Sequence, residues 1–175
     1  KNIDGMGYDS DFNCRNNLFQ YNYSHDNAGG FMGVFAGGAG FTAELGNVGN
    51  QGTIIRYNVS RNDGRVSRAI VYHVAGGAKN AQIYNNTFFV GEGLDIRTFS
   101  ESLSPEYHVR NNLFYVQGAL SFSLPIQGTF SHNALFGKIT DPPFNPDGLR
   151  VDPLLVAPGT GGAGRDSLGG YQLKP

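Results

Sequence analysis

The sequence predicts an all-β fold, a solenoid of about five stacked coils, and three observations predict it. Five segments share an apolar residue, two variable residues, Asn, and then further apolar or aromatic positions. They are Phe19-Gln-Tyr-Asn22, Ile55-Arg-Tyr-Asn58, Ile83-Tyr-Asn-Asn86, Val109-Arg-Asn-Asn112 and Phe130-Ser-His-Asn133. The intervals between these asparagines are 36, 28, 26 and 21 residues, the scale of repeat architectures. No stretch of about ten residues carries the apolar period of a helix, so helical repeats are excluded.

Each segment is followed by a small-residue turn and a second apolar strand. Those strands read Gly30-Phe-Met-Gly-Val-Phe35, Ala69-Ile-Val-Tyr-His73, Leu94-Asp-Ile-Arg97 and Ala119-Leu-Ser-Phe-Ser123, with Tyr8-Asp-Ser-Asp-Phe12 in the same slot one coil earlier. Stacking coils at about 4.8 Å turns equivalent residues into columns. An Asn column suits a turn, because the amide bonds along the stack and Asn tolerates left-handed backbone. The recurring Asn-Asn-x-Phe places an aromatic stack inside. Residues 1–137 are read as coils, and 138–175 as an extended tail or cap of the same domain.

The chain has 26 Gly, 17 Asn, no Trp and one Cys among 175 residues. Glycines without a three-residue period exclude collagen, and the aromatics with few charges argue against disorder. Lys and Arg number 13 against 14 Asp and Glu, a net charge of −1. That leaves no basic surplus for a phosphate backbone, so no nucleic-acid partner is expected. Cys14 has no internal partner, no Cys/His zinc spacing occurs, and no apolar run reaches the length of a membrane span.

The Asn repeats over residues 1 to about 137 resemble the right-handed parallel β-helix family of secreted bacterial polysaccharide-degrading enzymes. Phe19-Gln-Tyr-Asn-Tyr-Ser-His-Asp-Asn-Ala-Gly-Gly-Phe31 is similar to a segment recurring in its carbohydrate-active members. Val151-Asp-Pro-Leu-Leu155 with Asp166-Ser-Leu-Gly-Gly-Tyr-Gln-Leu-Lys-Pro175 resembles their C-terminal signature. That signature usually continues with Gly-Ser-Pro-Ala. Here it stops at Pro175, so the chain is expected to be a C-terminal fragment cut at both ends, with an upstream part of the same protein completing the helix. The resemblance implies a polysaccharide or oligosaccharide partner and a secreted or cell-surface location.

Strand alternation selects the candidate site. Tyr8 and Phe12 inside leave Asp9 and Asp11 projecting together; Leu94 and Ile96 inside leave Asp95 and Arg97 outside. Placing Ile70, Tyr72 and Val74 inside puts His73 outside. One outer face is then expected to carry Asp9, Asp11, Phe31, Gly33, Phe35, His73, Asp95 and Arg97, a groove for a sugar chain. Residues i and i+2 of a strand lie roughly 6.5–7 Å apart. Glycoside hydrolysis needs two carboxyls about 5–5.5 Å apart for retention or 6.5–9.5 Å for inversion, and Asp9 with Asp11 could meet either. A Ca²⁺ site or a solvated strand face are the alternatives for the same pair; no other cofactor is expected.

Ser24-His25-Asp26-Asn27 aligns with Ser60-Arg61-Asn62-Asp63 of the next coil, so His25 and Asp26 are read as a turn. Arg56, Arg61, Arg65 and Arg68, with His73, could instead serve a lyase, which needs a cation on a uronate carboxylate and a base for the C5 proton. Arg68 joins Phe35, Asp95 and Arg97 as a substrate contact. Three functions follow from one fold: a glycoside hydrolase first, a polysaccharide lyase second, and a non-catalytic glycan-binding surface module third.

Overall fold

The computed structural model describes residues 5–37, 44, 46, 48–66, 71–72, 78–98, 106–122 and 127–175, with Val71 and Tyr72 described by backbone only. The described chain is mostly β. In order it forms β1 (Met6–Ser10), β2 (Leu18–Gln20), β3 (Tyr23–His25), β4 (Gly30–Val34), β5 (Ile54–Arg56), β6 (Val59–Arg61), β7 (Val71–Tyr72), β8 (Ala81–Tyr84), β9 (Thr87–Val90), β10 (Asp95–Thr98), β11 (Glu106–Arg110), β12 (Leu113–Phe122), β13 (Gln127–Ser131) and β14 (Ala134–Thr140). A short 3-10 helix, Arg165–Tyr171, lies in the tail.

Among the described residues every pairing between these strands is parallel. One sheet runs β1-β4-β7, a second β2-β5-β8-β11-β13, and a third β3-β6-β9-β12, with β10 and β14 also pairing β12. The Asn of each repeat splits its segment into two strands, as at Gln20 and Tyr23 across Asn22, so a repeat holds three strands where the sequence suggested two. β12 spans two positions at once: Leu113–Val116 pair with β9, and Ala119–Phe122 pair with β10.

Register aligns like residues into columns. Phe19, Ile55, Ile83, Val109 and Phe130 face inward across the second sheet. Across the third, Ser24, Ser60, Phe88, Phe114 and Leu135 do the same. Phe88 and Phe114 stack at 5.0 Å, the expected aromatic pair. Each such buried ring or aliphatic chain contributes about 1.5–3 kcal/mol over leaving it exposed. The two serines interrupt the apolar column because they serve a corner: Asn27 Nδ2 donates to Ser24 Oγ (2.9 Å) and Ser60 Oγ donates to Asp63 Oδ2 (2.7 Å).

The predicted Asn column forms. Asn22, Asn58, Asn86 and Asn112 each donate both backbone N–H and Nδ2 to the Oδ1 of the next ladder asparagine, at 2.9–3.1 Å. Asn133 continues the ladder to Asn145, a sixth level that the spacing did not reveal. The same Nδ2 groups also reach carbonyls of the preceding level: Asn86 to Ile55 and Asn112 to Ile83, both at 2.9 Å. The left-handed residue is not the ladder Asn, as expected, but its predecessor: Tyr21, Tyr57, Asn85, Asn111 and His132 have φ of 53–57°. Turning there aims the next side chain inward, where its amide satisfies backbone groups that the bend takes out of the sheets.

Removing one rung should be costly. Asn86→Ala leaves the Asn58 amide and the Ile55 carbonyl without their side-chain partner inside the protein, with an expected loss of about 3 kcal/mol. Urea denaturation of the two proteins measures it; a midpoint unchanged from wild type would show that water replaces the rung at no cost.

Candidate functional site

In the first sheet Asp9 pairs with Gly33, and Gly33 with Tyr72. Asp9 and Asp11 are both exposed while Ser10 between them is buried, as alternation requires. Ser10 is held firmly: its Oγ meets Thr53 Oγ1 at 2.9 Å, and Asn50 Nδ2 donates to the Ser10 carbonyl (2.7 Å), the Ser10 hydroxyl (2.9 Å) and the Asp11 carbonyl (3.2 Å). The backbone carrying the two carboxylates is thereby fixed on its buried side.

Gly33 explains how the groups above it fit. A Cβ at that position would lie 2.5 Å from Asp9 Oδ1 and 2.7 Å from Met6 Sδ, and would strike the Phe35 ring. The missing side chain therefore opens the space in which the Asp9 carboxylate and the half-buried Phe35 ring converge. Sequence reasoning placed both residues on this face without seeing that Gly33 makes room for them.

One other expected member of the groove sits elsewhere. Phe31 is fully buried and edge-on to Phe88 at 6.0 Å, so it belongs to the core. Gly30, at φ 134°, turns the chain into β4, and strict alternation fails at the next residue. Phe12 lies past the end of β1 and is only half-buried. Asp95 and Arg97 do project outward around buried Ile96, as expected. Their strand, however, pairs with β12, and among the described residues β10 makes no pairing with β7. The row that starts at Asp9 is thus continuous as far as Tyr72. That register gives Tyr72, rather than His73, the position of Asp9; His73 and Arg68 lie outside the described residues.

Of the arginines of the lyase reading that are described, Arg61 and Arg65 meet at Asp26 and Arg56 stands apart from them. Arg56 stands on the second sheet, where its Nε donates to Gln20 Oε1 and its Nη1 to the Tyr84 hydroxyl, both at 2.9 Å. Arg61 stands on the third, its Nη2 at 2.8 Å from Asp26 Oδ2 and its Nη1 on the Gly161 carbonyl of the tail. Arg65 lies 3.6 Å from the same carboxylate. Arg61 already has its carboxylate partner, which leaves it poorly placed to neutralise a uronate.

His25 Nδ1 is 3.0 Å from Asp26 Oδ2, and Asp26 has φ 59°, so the pair does sit at a turn. Burial alone would push the Asp26 carboxyl up. Hydrogen bonds from His25 and Arg61 outweigh it and hold the group below its ordinary value. The network's role is to fasten the tail: Gly159 and Tyr171 cover Phe89, leaving that outward ring only 4% exposed.

Among the described residues no group of three or more His, Cys, Asp or Glu side chains is arranged to hold a metal ion. Three asparagines fit a glycan acceptor pattern: Asn22 and Asn58 have their amides bonded in the ladder, and Asn85, in Asn85-Asn86-Thr87, is the left-handed residue before a rung. No family model, no curated protein and no solved structure matches this chain.

Asp63 is a buried carboxylate that sequence reasoning passed over. It takes both the backbone N–H and the Nδ2 of Asn27 on Oδ1, at 3.0 and 2.9 Å, in the manner of a ladder asparagine. Burial raises its pKa above the ordinary 3.8, against the opposing hydrogen bonds. The folded state therefore holds the proton more tightly, and stability falls as pH rises from 3.8 through the folded value. Asp63→Asn keeps the acceptor for Asn27 and removes the titration. The variant should be more stable than wild type at pH 7, with the difference vanishing below the ordinary carboxylate range. Urea midpoints across that range measure this; equal midpoints at pH 7 would mean that burial of the charge costs nothing.

Proposed function

We propose that the chain is a right-handed parallel β-helix that hydrolyses glycosidic bonds of a polysaccharide laid along the outward face of β1, β4 and β7. The observation that carries this reading is the convergence of the Asp9 carboxylate and the Phe35 ring over side-chain-free Gly33, with exposed Asp11 two residues on. The parallel pairing of successive repeats and the six-level Asn ladder support the helix.

Hydrolysis needs one carboxyl to protonate the leaving oxygen and a second to attack or to activate water. Asp9 and Asp11 share an outer face on a backbone pinned by Asn50, which keeps their spacing from drifting. Phe35 offers a ring against the apolar face of a sugar, a packing that aromatic residues supply well. Asp9, beside that ring, stands where the scissile bond would lie, and Asp11 at the open end of β1 stands toward water.

A polysaccharide panel tests the reading. New reducing ends without the ultraviolet absorbance of an unsaturated product are expected. Asp9→Asn and Asp11→Asn should each lower that rate by about 100-fold or more while leaving the fold intact. Activity retained in both variants removes the assignment, and an unsaturated product would replace hydrolysis with elimination.

A further inference from the structure

The second sheet carries an outward row that the proposed cleavage does not use. Gln20, Arg56, Tyr84, Arg110 and Ser131 occupy one register column across β2, β5, β8, β11 and β13, each two residues before a ladder asparagine. Arg56 lies 5.9 Å from the Tyr84 ring centroid and 5.5 Å from that of Tyr57; Arg110 lies 4.4 Å from Tyr84. Arg110 Nη1 donates to Gln82 Oε1 at 2.6 Å. Both guanidinium groups are thus oriented by hydrogen bonds and ring faces.

Neither is paired with a carboxylate among the described residues, whose ion pairs involve Arg61, Arg65, His25, His108 and His132. Nη2 of each makes no hydrogen bond there. Beside them Tyr21 and Tyr57 stack at 5.3 Å with planes 7° apart, and they are 56% and 42% exposed. At the β13 end the row opens into a cavity of about 560 Å³ lined by Thr129, Ser131, His132 and Phe144, the last 87% exposed.

We propose that this face binds an acidic polysaccharide whose uronate carboxylates recur on every second sugar. Arg56 and Arg110 are two ladder steps apart, about 10 Å, because β8 lies between them. A linear sugar chain lying along the column advances at about one sugar per strand, so alternate carboxylates meet alternate levels. Each oriented guanidinium offers a fork suited to a carboxylate. Tyr84 lies between the two cations, and the cavity beside Phe144 receives the end of the bound stretch. Single-stranded nucleic acid fits less well. Tyr21 and Tyr57 already fill one another's faces, and two cations on a chain of net charge −1 neutralise few phosphates. This binding stands independently of whether Asp9 and Asp11 cleave anything.

Affinity electrophoresis of the full chain through gels containing hyaluronan, an alternating uronate polymer, tests it, with dextran as the neutral control. Retardation by hyaluronan, weakening with salt, and none by dextran are expected. The double variant Arg56→Gln/Arg110→Gln should bind at least about tenfold more weakly. Ser131→Asp, which sets a carboxylate opposite Arg110 without touching the tyrosine packing, should weaken binding in the same direction. Circular dichroism and urea midpoints confirm that each variant is folded. Asp9→Asn/Asp11→Asn should bind hyaluronan as wild type does, which separates this face from the cleavage site. No retardation of wild type overturns the proposal. So does wild-type retardation of both charge variants, loss of binding in the aspartate variant alone, or tighter binding of poly(dT) than of hyaluronan.

Discussion

The asparagine ladder is the interaction on which the rest of this structure depends. A chain that bends between two sheets takes backbone groups out of both, and those groups are buried here. Asn58, Asn86, Asn112 and Asn133 are at most 2% exposed. Each supplies an acceptor to the level before it and a donor to the level after it, and Nδ2 also caps a carbonyl of the previous strand. An apolar residue of similar volume would leave several polar groups unpaired per level, each costing roughly 1–3 kcal/mol. Aliphatic packing cannot set a register with that sharpness, since one branched side chain slides past another at little cost.

Register follows from the ladder, and faces follow from register. Three residues before each rung the chain points inward, as at Phe19, Ile55, Ile83, Val109 and Phe130; two residues before, it points outward. The outward surfaces then diverge. That of the third sheet is closed by the tail, where Arg61 joins Asp26 to Gly161 and Tyr171 lies over Phe89. Along the second sheet the row carries Arg56 and Arg110, which have no carboxylate partner among the described residues. On the first, Asp9 and Phe35 meet over Gly33. One internal device thus supports three outer surfaces of different chemistry.

What was legible in the sequence was local alternation, as around Ile96, and whatever repeats at a constant offset from the ladder: the five rungs, the Phe88–Phe114 stack and the alignment of Ser24 with Ser60. What was hidden depends on partners that offset does not encode. Asn145 joins the ladder from an extended Pro-rich segment with no apolar residue three positions earlier. Phe31 enters the core because Gly30 resets the chain's direction, which a parity count cannot detect. Asp95 and Arg97 point outward as parity requires, and among the described residues their strand is joined to the rest through β12 and not to the row of Asp9. The arginines looked close along the chain because one repeat contains them; Arg56 belongs to the second sheet and Arg61 to the third, where Arg65 joins it at Asp26.

The row of Gln20, Arg56, Tyr84, Arg110 and Ser131 shows where such a fold can carry recognition at least cost. A rung position admits almost nothing but Asn, and the inward positions admit only residues that fit the core. The outward position two before a rung is constrained by neither, yet the ladder holds it in line with its counterparts above and below. Chemically unrelated residues occupy it here, from an amide through guanidinium and phenol to a hydroxyl, while the inward column beside them stays uniformly apolar. Variation in the outer row against uniformity in the inner one is what results when the interior sets spacing and the exterior is free to vary. The ladder supplies a ruler marked at strand spacing, and side chains placed along it meet an extended polymer at fixed intervals without a preformed deep pocket.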